Sequence, residues 1–325
     1  MKTFIKTTLA AASLLAAASA LAQTYPTRSI TWIVPFAPGG PTDAMARDIA
    51  EKVSKQIGQP IVIDNAAGAG GTLGATKAAR ARPDGYTLLV GHLGYMAAAP
   101  ALYKKMAYDP AKDFEPVFRF PDTPMVMLTA RSSPHADAGD LIAYAKANPG
   151  KVNFGNAGTG STSHLIGALF ASRAGIQVQQ VPYRGVSPAM ADLMGGAVEV
   201  VFDQTNTALP QLGATGRVKA LGVTSTQPMP QIAGVPAIAS AVPGFEAATW
   251  YGLYAPKGTP ASVVTTLHNA YTKALTDKEW TDKMSAQAIR LLPEADYAPQ
   301  ALGKHTAAEV QRWAKMAKDA NISVD

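Results

Sequence analysis

The chain has 325 residues, of which 47% are apolar and 16% charged, and it contains no cysteine. This composition supplies a packed core and excludes a disordered chain, and the absence of cysteine excludes disulfides, thiolate metal sites and a cysteine nucleophile. The formal net charge of +6 comes from scattered residues rather than one basic face, so no nucleic-acid partner is expected.

The first 22 residues have the layout of a secretory signal peptide. Lys2 and Lys6 precede an Ala- and Leu-rich run, and Ala20-Leu21-Ala22 offers small residues for cleavage. The run is too short to favour a membrane-spanning helix, although a membrane anchor is the alternative. We therefore predict an exported, periplasmic protein.

The next part of the chain alternates strands and helices. Residues 30–36 form an apolar run typical of a buried strand. Met45, Ile49, Val53 and Ile57 then recur every four residues, which predicts an amphipathic helix that ends at Gly58. The elements predicted next are a strand at 60–63, a glycine-rich loop at 68–74, a short helix to residue 81 and a strand at 86–90.

The same pattern recurs further along. A strand at 152–154 leads into a glycine-rich turn and a helix at 164–174, and Ser187-Pro188 predicts another helix start. The alternation favours parallel sheets with crossovers. Other predicted elements are strands at 125–130, 178–183, 198–202 and 218–223 and helices at 141–147, 259–275, 277–284 and 297–320.

At about 150 residues per domain, the length of the chain favours two domains. The two strand–turn–helix units, at 30–57 and 152–175, fit one unit in each domain. A helix start presents unpaired N–H groups and partial positive charge, which can hold an anion without a charged side chain. The alternative is that both are ordinary capped turns. The candidate residues are Phe36, Ala37, Pro38, Gly39, Gly40, Thr42 and Asp43 in the first turn and Asn156, Gly158, Thr159, Gly160, Ser161, Thr162 and His164 in the second.

Three residues outside the turns are further candidates, each with a second interpretation. His92 follows a strand and either lines a cleft or fills the core or surface. Arg184 pairs with a ligand carboxylate or forms a surface salt bridge. Asp203 ends a strand and is expected to orient backbone or water rather than touch the ligand. His164 is interpreted as a hydrogen-bond donor or helix cap rather than a base.

Motifs for other kinds of site are missing or weak. There is no Gly-Lys-Ser/Thr triplet, and Leu73 replaces the third glycine of a dinucleotide fingerprint, so no nucleotide cofactor is expected. The five histidines do not stand at metal-ligand spacing. Ser161 or Ser163 with His164 leaves a secreted hydrolase as an alternative, although the G-x-S-x-G elbow is absent. We predict no cofactor, no metal and no catalytic residue.

Several short segments, spread in order along the whole mature chain, are typical of one known family. They are IVPFAPGG at 33–40 with Asp43, AGAGG at 67–71, PDGYTLL at 83–89, YDP at 108–110 with DF at 113–114, PGK at 149–151, GTGS at 158–161 with His164, VPYRG at 181–185 with PA at 188–189, and AP at 255–256. With these segments the chain resembles the extracytoplasmic solute-binding receptors of tripartite tricarboxylate transporters, the Bordetella uptake family.

The resemblance implies an α/β, two-lobed periplasmic binding protein fold with two crossover hinge strands, which we place near residues 124–131 and 245–255. The expected division is a signal peptide at 1–22, a first lobe at 23–124 plus 247–325, and a second lobe at 125–246. The family holds one ligand carboxylate between the two turns through N–H groups, hydroxyls and bridging water, with Asp203 helping to hold the water. Pro41 removes one N–H donor from the first turn.

The predicted function is that of a monomeric solute-binding protein that captures a small carboxylate and delivers it to membrane transporter subunits. A ligand-sensing subunit of a signalling system and, less favoured, a secreted hydrolase are the alternatives. The resemblance allows citrate-like acids, C4 dicarboxylates, acidic amino acids and aromatic carboxylates such as terephthalate, and we expect an aromatic or aliphatic dicarboxylate. The unranked candidates for contact with the distal end of the ligand are Phe36, His92, Tyr95, Arg119, Arg184 and Trp250.

Overall fold

The computed structural model describes residues 25–213 and 215–319. The predicted signal peptide lies outside the described residues. The strands are β1 (Ile30–Val34), β2 (Ile61–Asn65), β3 (Thr87–His92), β4 (Phe114–Arg119), β5 (Thr123–Ala130), β6 (Val152–Asn156), β7 (Val178–Pro182), β8 (Val200–Gln204), β9 (Val218–Val223), β10 (Ala248–Thr249) and β11 (Tyr251–Pro256). The helices are α1 (Pro41–Ile57), α2 (Thr72–Ala79), α3 (Ala99–Leu102), α4 (Ala138–Ala147), α5 (Thr162–Ala174), α6 (Val186–Gly195), α7 (Thr205–Ala208), α8 (Ala261–Leu275), α9 (Lys278–Ala286) and α10 (Pro299–Asp319).

The strands form two sheets, one in each lobe. The first sheet has the order β2-β1-β3-β11-β4, and the second has the order β10-β5-β8-β6-β7 with β9 paired to β5. The predicted parallel sheets are confirmed in part, since β1 pairs in parallel with β2 and β3, and β6 with β7 and β8. Both sheets are mixed, because β11 runs antiparallel to β3 and β4, and β5 runs antiparallel to β8, β9 and β10. The turns after β1 and β6 therefore lie at the carboxyl ends of parallel strands, where α/β sheets bind ligands.

The chain crosses between the sheets twice. It leaves the first sheet after Arg119 and joins the second at Thr123, which pairs with Thr249 of β10. It returns at Trp250, between β10 and β11. The first crossing lies a few residues before the predicted position because β5 already pairs in the second sheet at its first residue. The bounds of the lobes as separately moving units stay a prediction.

The strand β1 has buried side chains on both faces of its sheet. Trp32 packs in the same apolar cluster as Ile49 of α1, whereas Ile33 packs in the cluster on the other face with Leu89 of β3. Burying a large apolar side chain contributes roughly 1.5–3 kcal/mol, so these contacts fix the end of β1 and hence the turn that follows it.

Some predicted boundaries are wrong. The helix predicted from Ser187-Pro188 begins at Val186, because Gly185 is its N-cap with φ +151, a conformation that glycine tolerates. An added Cβ at Gly185 would lie 3.1 Å from the Ala37 side chain, so this glycine also allows close approach to the first turn. In the described part of the chain, no helix is both long and apolar enough to cross a membrane.

Candidate functional site

The first turn is held by the carboxylate of Asp43. Its Oδ2 accepts hydrogen bonds from Gly39 N at 3.0 Å and from Arg47 Nε at 2.9 Å. Asn65 Nδ2 donates to Asp43 Oδ1 at 2.9 Å and to Phe36 O at 3.0 Å. Although burial alone would raise the pKa of Asp43, the hydrogen bonds from Arg47, Gly39 and Asn65 hold that pKa below its usual range. The carboxylate therefore shapes the turn as an anion.

The helix α1 starts directly in this turn. Gly40 is the N-cap and Pro41 is the first helical residue, where its missing N–H costs no hydrogen bond. The next amides, of Thr42 and Asp43, have no intrahelical acceptor because they belong to the first turn of a helix. They are donors available to an anion.

The second turn is held by uncharged groups. Asn156 Oδ1 accepts from Gly158 N at 3.0 Å, and His164 Nδ1 accepts from Gly160 N at 3.3 Å. Ser161 is the N-cap of α5, with its hydroxyl accepting from the His164 amide at 3.4 Å. The burial of His164 lowers its pKa to about 4, so the ring is neutral at pH 7. This second helix start is therefore held without a cation.

The two turns meet in one small cavity between the lobes, which we call the inner chamber. Its volume is about 20 Å³, room for one or two water molecules or a single head group. None of the described residues that line it is a lysine or an arginine. These are Phe36, Ala37, Gly40, Pro41, Thr42, His92, Met125, Ala157, Ser161, Thr162, Ser163, Val186, Phe202, Asp203 and Gln204.

His92 links the lobes across this chamber. Its Nδ1 accepts from Gly94 N at 3.1 Å, so the proton of a neutral ring is on Nε2, which lies 2.9 Å from Thr162 Oγ1. Burial lowers the pKa of His92 to about 3, which keeps the ring neutral. Because the ring donates to the Thr162 oxygen, the Thr162 hydroxyl proton is left to donate to a ligand. His92 therefore lines the inner chamber and is also buried among aromatic rings, so it is not a surface residue.

A second link between the lobes was not predicted from the sequence. The Tyr251 hydroxyl donates to Gln204 Oε1 and accepts from the Thr42 hydroxyl. In addition, Asn206 Nδ2 donates to Pro41 O at 3.1 Å. Gln204 had one available signal, since it directly follows Asp203 at a strand end. Tyr251 had none, because its partners are distant in sequence.

Asp203 is buried in the wall of the inner chamber, with 2% of its surface exposed. Its Oδ1 accepts from Gln204 N at 2.8 Å and its Oδ2 from Thr207 Oγ1 at 2.9 Å. Burial raises the pKa of Asp203 to about 7, against the two hydrogen bonds that lower it. Unlike Asp43, this carboxyl group has no ion-pair partner among the described residues.

A larger cavity, the outer groove, adjoins the inner chamber at Phe36 and Ala157, which line both. Its volume is about 640 Å³. Among residues 25–213 and 215–319, none of the ion pairs includes Arg184, so the surface salt bridge considered above is not formed. The remaining lining residues are Gly68, Ala69, Gly70, Gly71, Gly158, Thr159, Pro182, Tyr183, Arg184 and Pro188.

The floor of the outer groove is a close contact between two glycine-rich segments. A Cβ added at Gly70 would lie 2.1 Å from Thr159 O. The Tyr103 hydroxyl donates to Thr159 O at 3.1 Å on the same side. The loop at 68–74 thus permits close backbone approach, as its composition predicted, and its partner across the cleft is the second turn.

The structure brings most of the predicted residues to these cavities. Pro38 is an exception, because it is exposed at the tip of the first turn and lines neither the inner chamber nor the outer groove. Of the distal candidates, Tyr95 is fully buried, and Arg119 and Trp250 line a separate cavity beside the crossings. Asp43, Asn156, Gly160 and His164 do not line the cavities and instead hold the turns. Gly39 lies on a third groove, which it shares with Asp203.

The arrangement gives no support to the hydrolase alternative. In the described chain, Ser161 Oγ has Ser163 Oγ at 3.2 Å and the His164 amide as partners. The Nδ1 atom of His164 accepts from Gly160 N rather than from a serine. The described residues also contain no cluster of three or more His, Cys, Asp or Glu suited to a metal ion.

Two sheets joined by two crossings, with a cleft between them, define a two-lobed periplasmic binding protein. The model of the tripartite tricarboxylate transporter family receptor matches residues 45–322. The chain belongs to this receptor family.

Solved structures agree with this assignment. The periplasmic binding protein BugD is 38% identical, with a TM-score of 0.87 over 92% of this chain and 99% of that one. MatC from Rhodopseudomonas palustris, with bound malate, is 38% identical, with a TM-score of 0.86 over 90% and 99%. Rpa4515 from R. palustris, with adipate, is 37% identical, with a TM-score of 0.86 over 92% and 99%.

Proposed function

We propose that this receptor works in the periplasm, closes on a dicarboxylate between its lobes and delivers it to membrane transporter subunits. The observation that carries the proposal is the inner chamber, where hydroxyl and helix-start amide donors of both turns converge without a lysine or arginine. Three or four charge-assisted hydrogen bonds, each roughly 1.5–3 kcal/mol, are enough for a micromolar complex, which needs about 8 kcal/mol.

The donors are divided between the lobes, and this division couples binding to closure. The helix-start amide of Thr42 belongs to the first lobe, whereas the hydroxyls of Ser161, Thr162 and Ser163 belong to the second. A carboxylate satisfies all of them only when the lobes meet, so it binds the closed form better than the open form and shifts the population toward it.

The size of the inner chamber supports an elongated ligand. About 20 Å³ accommodates only a head group, so the rest of the molecule extends past Phe36 and Ala157 into the outer groove. Arg184 at this groove is suited to a second carboxylate. The two R. palustris relatives have malate and adipate bound, which supports a dicarboxylate here.

Calorimetry with malate, adipate, terephthalate and citrate, combined with small-angle scattering, tests this function. We expect at least one dicarboxylate to bind with a micromolar or lower dissociation constant and to reduce the radius of gyration. Saturable binding without compaction would contradict the clamp. Binding of none of these acids would contradict the proposed ligand class.

Location and delivery need separate measurements. We expect cell fractionation to recover the chain, cleaved after residue 22, from the periplasm. Deletion of its gene should abolish uptake of the bound dicarboxylate, and uptake should return with the wild-type gene. Unchanged uptake together with lost transcriptional induction would favour the sensor alternative.

A further inference from the structure

The inner chamber combines a proposed anion site with a buried carboxyl group. Asp203 lines the same 20 Å³ cavity as the donors of both turns. Its two oxygens accept one hydrogen bond each, from Gln204 N and Thr207 Oγ1, which leaves each oxygen able to make one more. A ligand carboxylate in this cavity therefore lies beside a second carboxyl group.

In the described part of the chain, no lysine or arginine lines the inner chamber to offset the two charges. His92 and His164 are neutral because burial lowers both pKa values, and burial keeps Tyr251 neutral by raising its pKa. Asp43 is paired with Arg47. The titratable groups on the elements around Asp203 are His92 on β3, Asp43 and Arg47 on α1, His164 on α5, Asp192 on α6, whose carboxylate accepts from Tyr183, and Tyr251 on β11.

Two carboxylates that share a buried site cannot both stay ionised, and one of them retains a proton. The proton belongs on Asp203, because the ligand carboxylate receives the hydroxyl and amide donors that stabilise its charge. We propose that Asp203 is protonated in the complex and donates a hydrogen bond to the ligand carboxylate, directly or through the bridging water, so that capture takes up one proton from solvent. This inference rests on the proposed function.

The surroundings of Asp203 already favour its protonated form in the free protein. Burial already raises the pKa of Asp203 to about 7, so the group is partly ionised at neutral pH and gains its proton on binding. Above that pH the proton must be taken up before the ligand can bind. The dissociation constant should therefore rise toward tenfold per pH unit above about pH 7.

Calorimetry with adipate as the probe tests the inference. Between pH 6.5 and 8.5, where adipate is ionised, we expect the dissociation constant to rise about 20-fold. At pH 8, titrations in buffers of different ionisation enthalpy should give close to one proton taken up. Asp203→Asn, which keeps the shape and remains uncharged, should bind with less than a twofold change over this range. Glu51→Gln, on the exposed Glu51–Lys55 pair of α1, is the matched control and should behave as wild type.

The outcomes separate the inference from the proposed function. Binding that is independent of pH, with no proton uptake by the wild-type protein, would overturn the inference alone. Affinity that falls as the pH is lowered through 7 would also overturn it, since Asp203 would then bind the ligand as an anion. Failure of adipate, malate, terephthalate and citrate to bind at any pH would contradict the proposed function and the inference together.

Discussion

The two turns that face the inner chamber are stabilised by different kinds of side chain. Each must hold a helix start toward the cleft. The first does so with an ionised carboxylate, Asp43, that is itself neutralised by Arg47. The second does so with an amide, a neutral imidazole and hydroxyls. Charge in the first turn thus serves its structure, whereas the second turn supplies most of the side-chain donors.

The largest expected effect comes from separating the turns. Gly70→Ala places a Cβ 2.1 Å from Thr159 O, so the lobes must move apart to relieve the overlap. One carboxylate can then no longer accept hydrogen bonds from both turns at once. We therefore expect a loss of adipate affinity of about 100-fold or more and no compaction in scattering.

Gly58→Ala is the matched control for this variant. Gly58 has a similar φ of +68, against +61 for Gly70, but nothing lies within 4 Å of an added Cβ. Both variants carry the same backbone strain of roughly 1–2 kcal/mol. Normal affinity in both would contradict the joint action of the two turns.

The next effect tests the structural role of the charge in the first turn. Asp43→Asn weakens the hydrogen bonds from Gly39 and Arg47, so we expect the free energy of unfolding to fall by roughly 1.5–3 kcal/mol and adipate affinity by about 30-fold. Asp48→Asn, which removes an exposed ion pair with Lys283, is the control. Chemical denaturation and calorimetry measure the two changes.

The contribution of Asp43 to the free energy of unfolding should decrease at low pH. The pKa of Asp43 is lowered in the folded state, so its contribution is present above its unfolded value of about 4 and is lost as the pH falls through the folded value. The stability difference between wild type and Asp43→Asn should shrink as the pH falls from 7 to 3. A constant difference would indicate that the charge of Asp43 does not hold the turn.

A smaller effect tests the donor role of the second turn. Thr162→Val removes the hydroxyl and leaves His92 Nε2 without its partner, so we expect adipate affinity to fall about 10-fold. Thr265→Val, on the exposed face of α8, removes a comparable hydroxyl as the control. Unchanged affinity would mean that the second turn acts through its backbone alone.

The smallest effect concerns the outer groove. Arg184→Gln should weaken adipate binding about fivefold, because an exposed charge pair contributes roughly 1 kcal/mol. Binding of hexanoate, which has no distal carboxylate, should not change. Arg173→Gln, an exposed arginine in the last turn of α5, is the control. Equal losses for both acids would show that Arg184 does not contact the distal group.

Local signals made the two turns predictable. Gly39 and Gly40 precede Pro41, and Ser161 precedes α5, so sequence alone indicated two helix starts after buried strands. The links between the lobes were not predictable, because Tyr251 and Gln204 meet only through the folding of two sheets. The glycines around Gly70 predict a close-packed turn, and the structure confirms it. The partner, Thr159, is distant in sequence, so no local pattern could identify it.

The surroundings of Asp203 were not predictable from the sequence. Its position after a strand was visible in the sequence, but its burial and the lack of a neighbouring cation were not. Strand β8 begins and ends two residues later than predicted, so Asp203 and Gln204 belong to the strand itself. Burial depends on how the second sheet packs against the first lobe, which local patterns do not specify.

A crystal structure of the protein with adipate tests the central claim most directly. We predict one carboxylate in the inner chamber within hydrogen-bond distance of Thr42 from the first turn and Thr162 from the second, with no lysine or arginine within 4 Å, the ion-pair range. A carboxylate that contacts one lobe only, or that is held by a lysine or arginine, would contradict the account.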